Sequence, residues 1–110
     1  MEHLKIACTE ESKIYFSSNR KIVLVENTDY IDAAAVVLTD KDKSLVKEVY
    51  NLRLGIPVIL LSKDIKEYTK DFLEMLYRLV PIENIDKESL SKEIEEAANE
   101  YEEKMLPPFF

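Results

Sequence analysis

Thr9, Glu10, Glu11, Asp40, Asp42, Ser62 and Lys63 are the residues of this 110-residue chain whose types and places could do chemistry together. Each stands just after an apolar run that reads as a buried strand. In an open α/β sheet, ligands bind at the carboxyl ends of the strands, near the point where strand order reverses. An acidic cluster, a hydroxyl and a lysine gathered there are what a receiver-like module uses to accept a phosphoryl group on an aspartate. Asp40 after the third strand and Ser62-Lys63 after the fourth suit that pattern. Two features do not. The first strand ends Cys8-Thr9-Glu10-Glu11, without an adjacent acidic pair at its tip, and Pro81-Ile82-Glu83 stands where a lysine should follow the fifth strand. Asp40 and Asp42 therefore read more readily as turn and cap residues, because Asp bonds well to nearby backbone.

Other chemistries fare worse. A flavin or dinucleotide site needs a phosphate-cradling loop after the first strand. Here Thr9-Glu10-Glu11-Ser12 puts two carboxylates where the phosphate would sit. A single glycine, Gly55, excludes both the G-x-G-x-x-G and the P-loop patterns. Cys8 lies inside an apolar strand, which makes it an inert buried thiol rather than a nucleophile. His3 is the only histidine and sits near the terminus as a solvated tail residue; with Cys8 it makes no metal site. Glu93, Glu95, Glu96, Glu100, Glu102 and Glu103 read as a solvated helix face, since a calcium loop would need a turn glycine among them. Tyr101 and Met105 read as core or interface residues rather than a cofactor box. The reading assigns no catalytic, cofactor-binding or metal-ligating residue.

The elements that must position these residues follow from apolar patterning. Strands are predicted at Leu4–Cys8, Ile22–Val25, Ala33–Leu38 and Ile56–Leu61, with a shorter fifth near Leu79–Ile82. Continuous rather than alternating hydrophobicity means that both faces of the sheet are covered, as in parallel sheets. Pro57 falls at a strand start, where a missing N–H is tolerated.

Helices are predicted between the strands. One covers Glu10 to Phe16 behind a Thr9 cap. A second starts at Ser44, carries Leu45, Val49 and Leu52 on one face, and ends at Gly55 as its C′ residue. Phe72, Leu73, Leu76, Leu79 and Val80 form a third stripe, which overlaps the fifth strand, so one of the two must give way near Leu79. The last helix has the clearest period: Leu90, Ile94, Ala97, Ala98, Tyr101 and Met105. Asp86 or Ser89 would cap it, and Glu88–Lys92 and Glu100–Lys104 would be favourable four-residue pairs.

This alternation predicts α/β architecture: a three-layer, flavodoxin-like (receiver-like), doubly wound parallel sheet of about five strands, in a single domain, with strand order 2-1-3-4-5. A chain of this length buries roughly 65% of its extended surface, so it needs no staple. One cysteine allows no internal disulfide and suits a cytoplasmic location. The N-terminus does not read as a signal peptide, and no apolar run is long enough to span a bilayer. The net charge is −7, with the fifteen basic residues scattered among acids, which disfavours nucleic acid as a partner. Leu106-Pro107-Pro108-Phe109-Phe110 breaks the last helix and ends on two phenylalanines that should be covered, either by this domain or by another that begins there.

At this C-terminal segment the sequence becomes specific. Tyr101-Glu102 followed by Leu106-Pro107-Pro108-Phe109-Phe110 resembles the junction between wing and linker in the bacterial pyridoxal-phosphate (PLP)-dependent ornithine/lysine/arginine decarboxylases. Leu4-Lys5-Ile6-Ala7, Ile31-Asp32-Ala33-Ala34-Ala35-Val36-Val37-Leu38 and Gly55-Ile56-Pro57-Val58 are similar to the ornithine members. The resemblance runs over nearly the whole chain; no single motif is diagnostic, and its specificity lies in their order and spacing. It implies a wing domain over residues 1–105, with 106–110 beginning the linker to a catalytic core outside this chain. It implies a parent enzyme that converts L-ornithine to putrescine and CO2 with PLP, and no catalytic residue or PLP within these residues. Its implied partners are the rest of the decarboxylase chain and neighbouring subunits of a homo-oligomer, with a nucleotide effector in some members and no membrane or nucleic acid. No lysine here matches the family's Schiff-base lysine. Two other classes stay in view: a free-standing receiver-like signalling or protein-interaction module, and a small flavodoxin-like enzyme.

Overall fold

The structure, a computed structural model, describes residues 3–27, 29–64 and 67–105. The expectation for the 106–110 linker lies outside the described residues. Five strands form one all-parallel sheet: β1 (Lys5–Cys8), β2 (Ile22–Leu24), β3 (Ala33–Thr39), β4 (Val58–Ser62) and β5 (Arg78–Pro81), ordered β2-β1-β3-β4-β5. Order and direction are those predicted. The register pairs Ile6 with both Ile22 and Ala35, Val36 with Val58, and Leu60 with Leu79.

All seven residues of β3 and all five of β4 are buried, because helices cover both faces of the sheet. α1 (Lys43–Asn51) and α3 (Lys87–Met105) both pack against β3. Strand order reverses at β1, so right-handed crossovers put the β1–β2 connection on one face and α1 on the other; α3, after the last strand, packs beside the β1–β2 connection, where the Ser91 hydroxyl accepts the Ser17 N–H at 2.9 Å. The Ala33-Ala34-Ala35 run of β3 and the buried Ala97 and Ala98 of α3 are small enough to let helix and strand approach closely.

Several local expectations are corrected. Glu10–Phe16 is not an α-helix; only a 3-10 turn, Lys13–Tyr15, forms. The start signal works: the Thr9 hydroxyl accepts the Ser12 N–H at 3.2 Å and the Thr9 carbonyl accepts the Lys13 N–H at 3.1 Å. Tertiary bonding then takes over. The Ser12 side chain is fully buried and donates to the Val37 carbonyl at 2.8 Å, and Phe16 turns to extended backbone to enter the core.

α1 buries Val46 and Val49, whereas Leu52 lies outside the helix and is 48% exposed. The helix ends at Asn51, four residues before Gly55. Arg53, with φ +56°, takes the left-handed position after the cap, and Gly55, with φ +74°, makes a second turn into β4.

Near Leu79 the strand wins. α2 (Lys70–Glu74) stops after five residues, and the Tyr77 N–H bonds the Val58 carbonyl at 2.8 Å as β5 begins. Pairing beside a fully buried β4 gives Leu79 more than another helical turn would.

α3 starts where Asp86 caps it. The Asp86 carboxylate accepts from the Ser89 hydroxyl at 2.7 Å, and its carbonyl accepts the Leu90 N–H at 2.9 Å. That hydroxyl, opposed by slight desolvation and joined by the Ser89 and Glu88 N–H groups, holds the Asp86 pKa below its ordinary value. Neither four-residue pair on α3 closes among the described residues; Glu93 instead reaches across to Arg78 of β5 at 3.1 Å.

Candidate functional site

The carboxyl ends of the strands do bring the predicted cluster together, but as groups bonded within the domain; Asp42 stands at the start of α1 without making a side-chain cap bond. One Asp40 carboxylate oxygen accepts the Lys63 backbone N–H at 3.2 Å, tying the end of β3 to the end of β4. The Thr39 hydroxyl lies 3.5 Å from a Glu11 oxygen and 3.4 Å from an Asp42 oxygen, and Lys41 pairs with Glu11 at 3.3 Å. The Ser62 hydroxyl is buried and bonds the Tyr68 hydroxyl at 2.8 Å. Tyr68 in turn stacks on Phe72, with centroids 4.9 Å apart. Asp40 and Asp42 are thus turn residues, as the composition of the turn suggested.

Beside this cluster lies a cleft of about 300 Å3, lined by Glu10, Glu11, Glu26 and Asp42 together with Cys8 and Leu45. Four carboxylates facing one cleft oppose an incoming phosphate. Among the described residues, no group of three or more His, Cys, Asp or Glu could hold a metal ion. Cys8 is fully buried, and burial pushes its thiol pKa up, away from the reactive thiolate.

The same four carboxylates would oppose the phosphate of pyridoxal phosphate. A Schiff-base lysine needs an amine whose pKa is depressed by burial or neighbouring cations. Lys43 is shifted the other way, upward, first by its hydrogen bond from Nζ to Glu67 at 2.8 Å.

A second polar centre, missed in the sequence, sits at the opposite end of the sheet. Arg20, in the β1–β2 connection, is 8% exposed. Its Nη1 donates to the Leu4 carbonyl at 2.8 Å and to Glu102 at 2.7 Å, and its Nη2 donates to Asn99 at 2.7 Å. Glu102 also accepts the Leu4 N–H and the His3 ring nitrogen, both at 2.8 Å. Its partial burial raises its pKa, but the hydrogen bonds from Arg20, His3 and Leu4 and the Arg20 charge outweigh this and bring it down to about 2. His3 is therefore tied to α3, not a free tail residue, and Glu95 and Glu102 are not merely a solvated face. Nothing in the spacing of Ser18-Asn19-Arg20-Lys21 marks Arg20 as buried; the only available signal was a lone arginine in a short polar connection facing an acid-rich helix.

A third feature is a groove of about 270 Å3 beside the amino ends of β4 and β5, with Tyr50, Tyr77, Met75 and Tyr101 on its walls. The Tyr101 hydroxyl donates to the Leu54 carbonyl at 2.9 Å, which makes it a core residue that also pins the turn before β4. Met105, by contrast, is 56% exposed.

Residues 4–101 match the model of the "Orn/Lys/Arg decarboxylase, N-terminal domain" family, and the chain, a five-stranded parallel α/β domain, belongs to that family. Its curated relatives are ornithine decarboxylases. It is 36% identical over 111 residues to ornithine decarboxylase of Haemophilus influenzae, covering 100% of this chain and 15% of that protein. It is 35% identical over 108 residues to inducible ornithine decarboxylase of Lactobacillus sp. strain 30a (97% and 15%), and 31% identical over 112 residues to constitutive ornithine decarboxylase of Escherichia coli K12 (100% and 15%). The chain thus spans about 15% of the length of the curated relatives it matches. No described helix is long and apolar enough to cross a membrane.

Proposed function

We propose that this chain is the noncatalytic accessory domain of a PLP-dependent, cytoplasmic ornithine decarboxylase that converts L-ornithine to putrescine and CO2. In this reading residues 1–105 form the wing, residues 106–110 open the linker, and the catalytic core lies in the remainder of the parent. The domain serves assembly and regulation: it packs on the rest of its own chain and on neighbouring subunits, and none of its residues touches ornithine or PLP.

The observation that carries this reading is the carboxyl end of the sheet. Where an α/β enzyme would open a site, Asp40, Thr39, Ser62 and Tyr68 are engaged in bonds within the domain, and the adjoining cleft is lined by four carboxylates. Such a surface suits a scaffold better than a site that must hold a phosphorylated cofactor.

The test uses the 110-residue chain alone. Incubated with PLP and dialysed, it should retain no aldimine absorbance, and with ornithine it should release no putrescine. Stoichiometric aldimine formation or putrescine release by the purified chain overturns the reading.

A further inference from the structure

At the end of the sheet opposite the acidic cleft, three cations line one cleft. Lys5 opens β1, and Arg20 and Lys21 precede β2; with Glu95 and Asn99 of α3 they line a cleft of about 470 Å3. In a chain of net charge −7 this is a local excess of cations. Lys41 and Lys43 are paired with acids, whereas Lys5 and Lys21 take part in no ion pair among the described residues.

Arg20 adds a second, independent sign. Its Nη groups are occupied, but its Nε is buried and has no hydrogen-bond acceptor, with Glu95 Oε1 standing 3.7 Å away. A buried donor left without an acceptor calls for an explanation, and a bound ion is one. Asn99 presents its Oδ1 to Arg20, so its amide nitrogen is left as a further donor. The Glu95 side chain is 39% exposed, and turning it outward gives up its 3.7 Å approach to Arg20 and a 3.4 Å bond from the Ser18 hydroxyl.

We propose that this cleft binds a phosphate-class oxyanion between the Lys5 and Lys21 ammonium groups, with Glu95 swinging aside so that Arg20 Nε donates to the anion. Two unpaired lysines match a doubly charged tetrahedral group better than a single carboxylate. An extended polyanion is disfavoured, because the surrounding surface of α3 is acidic. The inference is independent of the decarboxylase reading and of the carboxyl end of the sheet.

The experiment follows backbone amide shifts of the 15N-labelled chain as inorganic phosphate or glycerol phosphate is added against sodium chloride of equal ionic strength. Saturable shifts should centre on Lys5, Arg20, Lys21 and Asn99. Lys5→Ala and Lys21→Ala should each weaken binding by about fivefold, and Glu95→Gln should tighten it by about threefold, as expected for one charge at the edge of a partly solvated site. Lys47→Ala, on α1, should change nothing. Arg20 is left intact, because it holds α3 in place. Tighter binding of glycerol phosphate identifies an esterified phosphoryl group as the ligand, and tighter binding of inorganic phosphate identifies the free ion. Equal shifts with chloride, or saturable shifts untouched by the two lysine substitutions and by Glu95→Gln, overturn the proposal.

Discussion

Arg20 and Glu102 meet at 2.7 Å across the amino end of the sheet, joining the β1–β2 connection to the last turns of α3. The same Glu102 carboxylate accepts the Leu4 N–H and the His3 ring, and the same guanidinium reaches the Leu4 carbonyl and Asn99. One ion pair therefore closes three segments distant in sequence. Removing one partner of a nearly buried pair leaves the other uncompensated, which costs more than the pair itself contributes. Arg20→Ala should lower unfolding stability by about 3 kcal/mol in urea titration. Glu102→Gln, which keeps an acceptor oxygen, should cost about half as much. A loss under 0.5 kcal/mol for Arg20→Ala would show that the cluster decorates α3 rather than fastening it.

The Glu102 pKa of about 2 sets a pH dependence. A carboxyl group whose folded pKa lies below its unfolded value of 4.5 contributes stability that is complete above that value and is lost as pH falls toward 2. The loss is about 1–2 kcal/mol once solvent at the rim of the carboxylate is allowed for. Asp86, also lowered, acts in the same direction. Unfolding free energy measured from pH 6 to pH 2 should fall through this window in the wild type and fall less in Glu102→Gln. Parallel curves for the two proteins would contradict the assignment to Glu102.

The turn from α1 into β4 contains two left-handed residues of different kinds. Gly55, at φ +74°, has Tyr101 Cε1 within 3.9 Å of where a Cβ would stand, so there is room for a methyl group but the backbone disfavours it. Gly55→Ala should cost about 1–2 kcal/mol through conformation alone. Arg53, at φ +56°, holds the position that glycine prefers. Arg53→Gly should stabilise by about 0.5 kcal/mol. Opposite movements of Tm for the two variants check both assignments together.

Asp40 separates the accessory-domain reading from a signalling one. Its carboxylate is bonded to the Lys63 N–H, as a turn residue's would be. Incubation with acetyl phosphate should give no phosphoryl adduct by intact mass, and Asp40→Asn should behave like the wild type in that assay. Stoichiometric addition lost in Asp40→Asn would establish a phosphoacceptor.

The sheet was legible because its central strands are apolar on both faces: the runs that became β3 and β4 have no other stable fate than a covered parallel sheet, although β4 starts at Val58, two residues after the predicted start at Ile56. Where local preference and tertiary bonding disagreed, sequence reading failed in a consistent way. Thr9 offers a good cap, yet Ser12 is drawn to Val37 and the helix does not propagate. Phe72–Val80 carries a helical stripe, yet the open edge of β4 claims Leu79 and Val80. Gly55 was the obvious helix terminator, and an arginine took that place instead. At the carboxyl end, the turn role of Asp40 was readable because Asp bonds locally. At the amino end, the Arg20 cluster joins residues 16 to 82 positions apart in sequence, and no local pattern encodes such a meeting.

The central claim is that this domain supports a decarboxylase without taking part in its chemistry. Residues 1–105 should be deleted from a full-length ornithine decarboxylase that contains them, and sedimentation mass measured alongside kcat per PLP-loaded subunit. The account predicts a smaller assembly whose loaded subunits turn over ornithine at a rate within about threefold of the intact enzyme, a change of less than 1 kcal/mol in the barrier. An unchanged mass together with a loss of turnover of a hundredfold or more would contradict it, because the domain would then act on the chemistry and not on the assembly.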